Sequence, residues 1–270
     1  MFYNPSVFAP QSPPPLQGRL FDKHLYFRRE LTVAIFTLKI AGCTVWVQAI
    51  FDSTKDYCRD YLTNATPSHS IRVTQEDLEA EQQYLNEEAD REGLRRRVFG
   101  KPFLERNFLQ RRIAQLLLSR QVLLIHGSAV AINGAGYLFT APCGTGKSTH
   151  ARLWREVLGA SAVNDDKPFL RLTETGVLLC GSPWQGKHGI GENITVPLKG
   201  ICLLQRGSRN VIVPLSPEEA LPELIRQSSD PSLTRAIAGQ VPLWLLTCTP
   251  DGQAAQIAYA AMSGCHPADN

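Results

Sequence analysis

Long apolar runs are missing from this chain of 270 residues. No stretch approaches the ~18 apolar residues of a membrane helix, and the N-terminus lacks a basic region followed by an apolar core. Neither a membrane partner nor a secretory leader is expected. A large charge excess is missing too. The 28 basic and 25 acidic residues leave a net charge of +3, too small to argue for nucleic acid or an anionic bilayer. Paired cysteine is the third absence. The seven cysteines, at 43, 58, 143, 180, 202, 248 and 265, are scattered, odd in number and nowhere form C-x-x-C. That pattern points away from a disulfide framework or a zinc site and towards reduced thiols in a cytoplasmic setting. No internal repeat is visible. What remains is 43% apolar and 20% charged residues, ordinary for a globular protein of one large or two small domains.

The stretch around which the rest is arranged is 138–149, Leu-Phe-Thr-Ala-Pro-Cys-Gly-Thr-Gly-Lys-Ser-Thr. A short apolar strand at 137–140 runs into a loop containing Cys143, Gly144, Thr145 and Gly146. Lys147, Ser148 and Thr149 then open a helix expected to reach about residue 158, with Gly159 as a left-handed cap. This is the context that G-x-x-x-x-G-K-[ST] requires of a phosphate-binding loop. Glycines let backbone N–H groups turn inward on phosphate oxygens, and the helix start adds partial positive charge. Lys147 can reach the β- and γ-phosphates, and the Ser148 hydroxyl can ligate Mg²⁺. Ala141 departs from the motif at its first position, which starts the turn and does not hold phosphate. The alternative is a glycine-rich turn that happens to precede a lysine. Cys143 is either a reactive thiol or simply a small side chain that fits.

The second informative stretch is Ala162-Val163-Asn164-Asp165-Asp166. Paired acids directly after a short apolar strand suit a Mg²⁺-nucleotide site, where one carboxylate ligates the metal and the other is free to take a proton. Only 18 positions separate Lys147 from Asp165, enough for one helix, a tight turn and the return strand. Common nucleotidases place their metal-binding acid on a later strand, so the spacing indicates a different topology.

The ordered combination Leu124-Ile125-His126-Gly127-Ser128, then 143–149, then Asn164-Asp165-Asp166 resembles the catalytic domain of HPr kinase/phosphorylase. The resemblance covers roughly residues 120–262 and is nearest to the short HPr-kinase-like proteins of bacteria, some of which sit beside peptide-modification systems. It implies an α/β phosphate-loop fold shared with phosphoenolpyruvate carboxykinase. It also implies a kinase that uses Mg with ATP or GTP to phosphorylate a hydroxyl, serine above all, on a protein or peptide. On this resemblance Asp165 matches the general base. Asp166 and Ser148 match metal-binding positions, with Asp165 beside the same ion, and Lys147 matches the phosphate-binding lysine. His126 matches a histidine near the base, although a lone histidine at a strand end is more often structural. Family kinases often assemble as homo-oligomers and sometimes run the reverse phosphorolysis. Three rivals stay open: a small-molecule hydroxyl kinase, a regulatory nucleotide binder without chemistry, and a carboxykinase acting on an oxo-acid.

The rest of the chain reads as a proline-rich arm at 1–18, a small α+β module at 19–100 and the nucleotide-binding catalytic domain at 101–265. In the module, β-branched runs at 31–39 and 44–50 flank Ala41-Gly42 as a hairpin. A third strand follows at 70–73, and Thr74 and Asp77 form a capping box for a helix to about 89. Eight acids in 76–92 give way to eight basic residues in 91–112. The apolar spacing from Phe103 onward nevertheless reads as an amphipathic helix with Arg106, Arg111 and Arg112 on its outer face. Val122 to Ile125, wholly apolar, reads as a central strand, and Asn133-Gly134 as a tight turn. After a hairpin at 169–180 comes a glycine-rich segment, 181–193, long for a plain connector. It reads as a flap in which Lys187 steadies charge and Glu192 helps with the metal, or as a surface loop with incidental charge. Trp184 there suits packing better than stacking. Arg206 could reach the phosphates, though an exposed turn arginine is commoner. Strands at 198–204, 211–215 and 243–247 and helices from 217, 232 and 252 complete the expectation, with a tail around His266.

Overall fold

The computed structural model describes residues 33–264. The proline-rich arm at 1–18 and the tail around His266 lie outside the described residues. Strands β1 (Ala34–Ile40) and β2 (Cys43–Ala49) pair antiparallel, with Ile40 facing Cys43 across the Ala41-Gly42 turn. Both turn residues have positive φ, 48° and 77°, as a two-residue hairpin demands. β3 (His69–Arg72) joins β2 in parallel to finish a three-stranded sheet.

Between β2 and β3 lies a helix that the sequence pattern does not predict, α1 (Asp52–Tyr57), which has no side-chain cap of its own. Glu105, from far along the chain, instead fixes the backbone entering the helix. Its carboxylate accepts from the N–H of Ile50 at 2.5 Å, the N–H of Phe51 at 3.3 Å and the Thr54 hydroxyl at 2.5 Å. Burial pushes Glu105 above the usual carboxylate range, against the pull of those donors.

Helix α2 (Gln75–Arg91) begins with the Thr74–Asp77 capping box, both reciprocal bonds present. Helix α3 (Lys101–Leu118) buries Leu104, Phe108, Leu109, Ile113 and Leu117, as its spacing requires. Its arginine face differs from expectation, since only Arg112 is exposed. Arg106 lies over the Tyr57 ring, 4.8 Å from its centroid, and Arg111 over Tyr84 at 4.6 Å. Arg111 also pairs with the buried carboxylate of Glu81 at 2.5 Å. Helices α1 and α2 pack against α3, so most of its basic face serves as internal mortar.

The remaining strands form one nine-stranded mixed sheet. They are β4 (Val122–Leu124), β5 (Ser128–Ile132), β6 (Ala135–Thr140), β7 (Ser161–Asn164), β8 (Phe169–Thr173), β9 (Gly176–Cys180), β10 (Thr195–Arg206), β11 (Val211–Leu215) and β12 (Leu243–Cys248). The order is β4-β8-β9-β10-β6-β5-β7, with β12 also against β10 and β11 against β12. Among the described residues β4 pairs only with β8 and so lies at the sheet's edge, although its sequence pattern predicts a central strand. Its apolar character has another cause: both faces are covered, Val122 lying in the core shared with α3 and Leu123 in the one that holds Ala220 and Leu224.

Along β6 the side chains alternate between two cores. Tyr137 and Phe139 join Trp154, Ala255 and Ala258, the layer built by α4 (Lys147–Leu158) and α7 (Gly252–Ser263). Leu138 joins Ala220, Leu224, Leu233 and Ile237, the layer of α5 (Pro217–Arg226) and α6 (Pro231–Ala238). A third core runs from β1 through α3 to Phe169 and Trp184, so the first sheet and α3 share one apolar interior. Among the described residues no helix is long and apolar enough to cross a membrane, and the six cysteines are all unpaired.

Replacing Glu105 with Ala would leave two backbone donors and a buried hydroxyl without an acceptor. The expected loss is about 3 kcal/mol of unfolding free energy, read from urea melts. A loss below about 0.5 kcal/mol would contradict this anchoring role.

Candidate functional site

Thr140 ends β6, residues 141–146 form the glycine loop, and α4 begins at Lys147. Gly144 has φ 76° and Gly146, at the helix N-cap, has φ 121°, backbone that side chains rarely adopt. No side chain caps the first turn of α4, so its leading N–H groups carry the positive end of the helix dipole uncovered. Lys147 is buried and folds back on the loop, its Nζ donating to the Ala141 carbonyl at 2.8 Å and the Pro142 carbonyl at 3.4 Å. Burial pulls its pKa down to about 8. The Thr145 hydroxyl closes the turn on the Pro142 carbonyl at 2.8 Å. Cys143 and Ser148 are exposed, and Thr149 is half-buried.

β7 does not pair with β6. β5 lies between them, antiparallel to both, with Ser128 opposite Phe139 and Ala129 opposite Asn164. The ends of β6 and β7 thus share one edge of the sheet, two strand spacings or about 10 Å apart. His126-Gly127-Ser128 fills the gap. The Thr140 hydroxyl donates to the His126 carbonyl at 2.8 Å, Gly127 N–H to the Asp166 carbonyl at 2.9 Å, and the Ser128 hydroxyl to the Asp165 carbonyl at 3.0 Å.

Asn164 shapes the turn that follows β7. Its Oδ1 accepts from the N–H groups of Asp166 at 2.8 Å and Lys167 at 2.6 Å. Its Nδ2 donates to the carbonyls of Ser182 and Trp184, at 3.1 and 3.3 Å. The two carboxylates then meet different surroundings. Asp165 accepts from the Gly186 N–H at 2.6 Å through Oδ1, while its buried Oδ2 has no hydrogen-bond partner among the described residues. Burial pushes its pKa up and Asp166 adds to that, against the flap's hydrogen bonds. Asp166 holds His126 Nε2 at 3.2 Å through Oδ1, and its Oδ2 is likewise buried and without a partner among the described residues. Burial would raise Asp166, but Lys167, His126 and Lys147 together hold it below the usual range. Burial, with Lys167 and Lys147 near, pulls His126 down to about 4, so it is neutral at pH 7 and donates Nε2–H to Asp166.

The segment 181–193 lies directly over this turn. Glu192 N–H donates to the Val163 carbonyl at 3.2 Å, and Gly191 bridges to Asn164. A Cβ on Gly186 would stand 3.1 Å from Asp165 Oδ2 and 3.3 Å from the Asp166 Cβ, which explains a glycine there. The other side of the segment is tied to the first sheet's connections, by Tyr61 hydroxyl to the Glu192 carbonyl at 3.3 Å and by Asn193 Nδ2 to the Asp60 carbonyl at 2.7 Å. Trp184 is buried and donates to the Arg106 carbonyl at 2.9 Å, a packing residue.

The structure therefore brings Lys147, His126, Asp165 and Asp166 together. It does not do so for Lys187 and Glu192, whose side chains are exposed and make no hydrogen bond or ion pair with those four residues. The flap acts on the site through backbone N–H groups instead. Sequence reasoning missed Lys167, buried beside Asp166, although its place straight after the acid pair was a usable signal. It also missed a cavity of about 90 Å³ between α2, α3 and residues 227–229, whose wall includes His126, Lys167, Gln110, Arg111 and Ser228.

The donor set fits a magnesium ion. Two buried carboxylate oxygens without partners stand at one sheet edge with a lysine and an uncapped helix start. Among the described residues no group of three His, Cys, Asp or Glu side chains could form a cage. Mg²⁺ usually takes one or two carboxylates together with substrate phosphates and water, which this arrangement can offer.

His126 and His150 are both held neutral by burial, each down to about 4. The unfolded chain takes up protons at these positions below about pH 6.5, whereas the folded chain does so only near pH 4. Stability should therefore fall from pH 6.5 to pH 4, by up to roughly 1.4 kcal/mol per pH unit for each histidine. Imidazole NMR titration checks this, and a His126 midpoint near 6.5 would contradict the burial described.

No family model matches the chain, and no curated protein matches it. Among solved structures, the Hpr(Ser) kinase/phosphatase of Coxiella burnetii is similar to it at 12% identity and a TM-score of 0.33, covering 52% of this chain and 99% of that one. At that level the likeness does not extend to activity or substrate.

Proposed function

We propose that this chain is a Mg-ATP-dependent kinase with an HPr-kinase-like phosphate-loop domain, which transfers the γ-phosphoryl group to a hydroxyl, that of serine, on a protein or peptide. One observation carries the reading. The glycine loop with Lys147 and the Asp165-Asp166 turn share one edge of one sheet, close enough for Lys147 and Asp166 to act on each other's charge.

In this reading Lys147 leaves the loop carbonyls for the β- and γ-phosphates, and the first N–H groups of α4 bind phosphate oxygens. Asp166 and the Ser148 hydroxyl would hold magnesium, which when bound would supply positive charge against the β- and γ-phosphate oxygens. Asp165 is the base. Its Oδ1 is fixed by Gly186, and its free Oδ2 takes the proton of the acceptor hydroxyl. The acceptor oxygen bonds to the γ-phosphorus, the bond to the β–γ bridging oxygen breaks, and ADP leaves. His126, neutral and bonded to Asp166, orients the metal-binding carboxylate. The exposed Lys187 and Glu192 would have to move with the flap to serve the reaction.

The cavity behind His126 and Lys167 favours a second reading, a kinase of the same fold acting on a small hydroxyl compound. ADP release with Mg-ATP, compared between serine peptides and small hydroxyl compounds, separates the two.

An Asp165→Asn variant should bind Mg-ATP within about threefold of wild type and lose about a thousandfold in phosphoryl transfer. Calorimetry and ADP release measure the two. Undiminished transfer in that variant would remove Asp165 as the base.

A further inference from the structure

Arg206 is the last residue of β10, which runs beside β6 with Leu203 opposite Thr140 and therefore continues past the point where the glycine loop starts. Its guanidinium donates to the Gly144 carbonyl through a terminal nitrogen and to the Thr145 carbonyl through Nε at 3.4 Å. One planar fork thus holds two successive peptide groups. In a trans peptide the C=O and N–H point in opposite directions. Drawing these two carbonyls towards Arg206 therefore turns the N–H groups of Thr145 and Gly146 away from it. The first of them already closes on the Pro142 carbonyl at 3.3 Å.

The anchor beneath this side chain is firm. Arg206 is in register with Cys248 of β12, and Gly207 N–H donates to the Cys248 carbonyl at 3.1 Å. The guanidinium is exposed, yet among the described residues no carboxylate forms an ion pair with it. An arginine whose partners are loop carbonyls alone leaves its positive charge beside the loop uncancelled.

We propose that Arg206 is a positioning residue of the nucleotide site. From outside, it holds the phosphate loop in the peptide orientation that receives the phosphates of Mg-nucleotide. The inference rests on the nucleotide reading above and adds a residue to it that the motif does not contain. A turn arginine without this role would be replaceable at no cost to binding.

The experiment titrates Mg·AMP-PNP into wild type and the K147A, R206A and R206K variants of the full chain, with melting temperatures alongside. R206A should bind about tenfold more weakly at an unchanged melting temperature. R206K keeps the charge but not the fork, and should recover only a minor part of the loss. In turnover, KM for ATP should rise while kcat stays within about twofold. Wild-type affinity in R206A, or full recovery in R206K, overturns the proposal while K147A still loses binding. If wild type and K147A bind alike or not at all, the phosphate-loop reading itself falls, and the role of Arg206 with it.

Discussion

The carboxamide of Asn164 is the contact on which the site's shape depends. It is fully buried, its oxygen takes two consecutive backbone N–H groups, and its nitrogen holds two carbonyls of the facing segment. A side chain that accepts from the next residues but one and two is the usual way for Asn to set a turn. Here the turn displays Asp165 and Asp166, and the same amide secures the strip of chain that covers them. Aspartate at 164 could accept the two N–H groups but not donate to the carbonyls of Ser182 and Trp184.

Two carboxylates held in a dry setting would be costly without compensation. The structure divides the burden unevenly. Asp166, 3% exposed, has Lys167, His126 and Lys147 around it and is kept ionised. Asp165 has backbone N–H groups but no cation to oppose its burial and the charge of Asp166, and is pushed towards protonation. Neighbouring acids whose surroundings drive them apart suit different roles, one bound to a cation and one trading a proton. Glu105 and Glu81 are compensated in a similar way, each by donors from a distant segment.

Much of this was legible in the sequence because it rests on local chemistry. Hairpin turns at Ala41-Gly42 and Asn133-Gly134, caps at Thr74 and Ser216 and the strand–loop–helix around Lys147 depend on a few adjacent residues. The acid pair, too, follows from a short strand and a spacing. What escaped depends on who lies beside whom. Nothing in Val122 to Ile125 says that its burial comes from α3 on one face and the α5–α6 layer on the other rather than from two neighbouring strands. The insertion of β5 between β6 and β7 is a matter of pairing, and it turns His126-Gly127-Ser128 into the spacer between loop and acids. Arg111 looked solvated because helical spacing shows only the helix's own faces, and α2 covers that one. The segment 181–193 meets the acid turn through backbone N–H groups, which side-chain chemistry does not reveal, while Lys187 and Glu192 stand exposed.

The central claim is that the glycine loop and the acid turn hold one nucleotide-bound ion between them. A crystal structure with Mg·AMP-PNP tests it most directly. The account predicts phosphates on the N–H groups of the loop and first turn of α4. It also predicts a single magnesium bound by the Ser148 hydroxyl and an Asp166 oxygen at about 2.1 Å. A nucleotide seated elsewhere, or an ion that touches neither carboxylate directly nor through water, would contradict it.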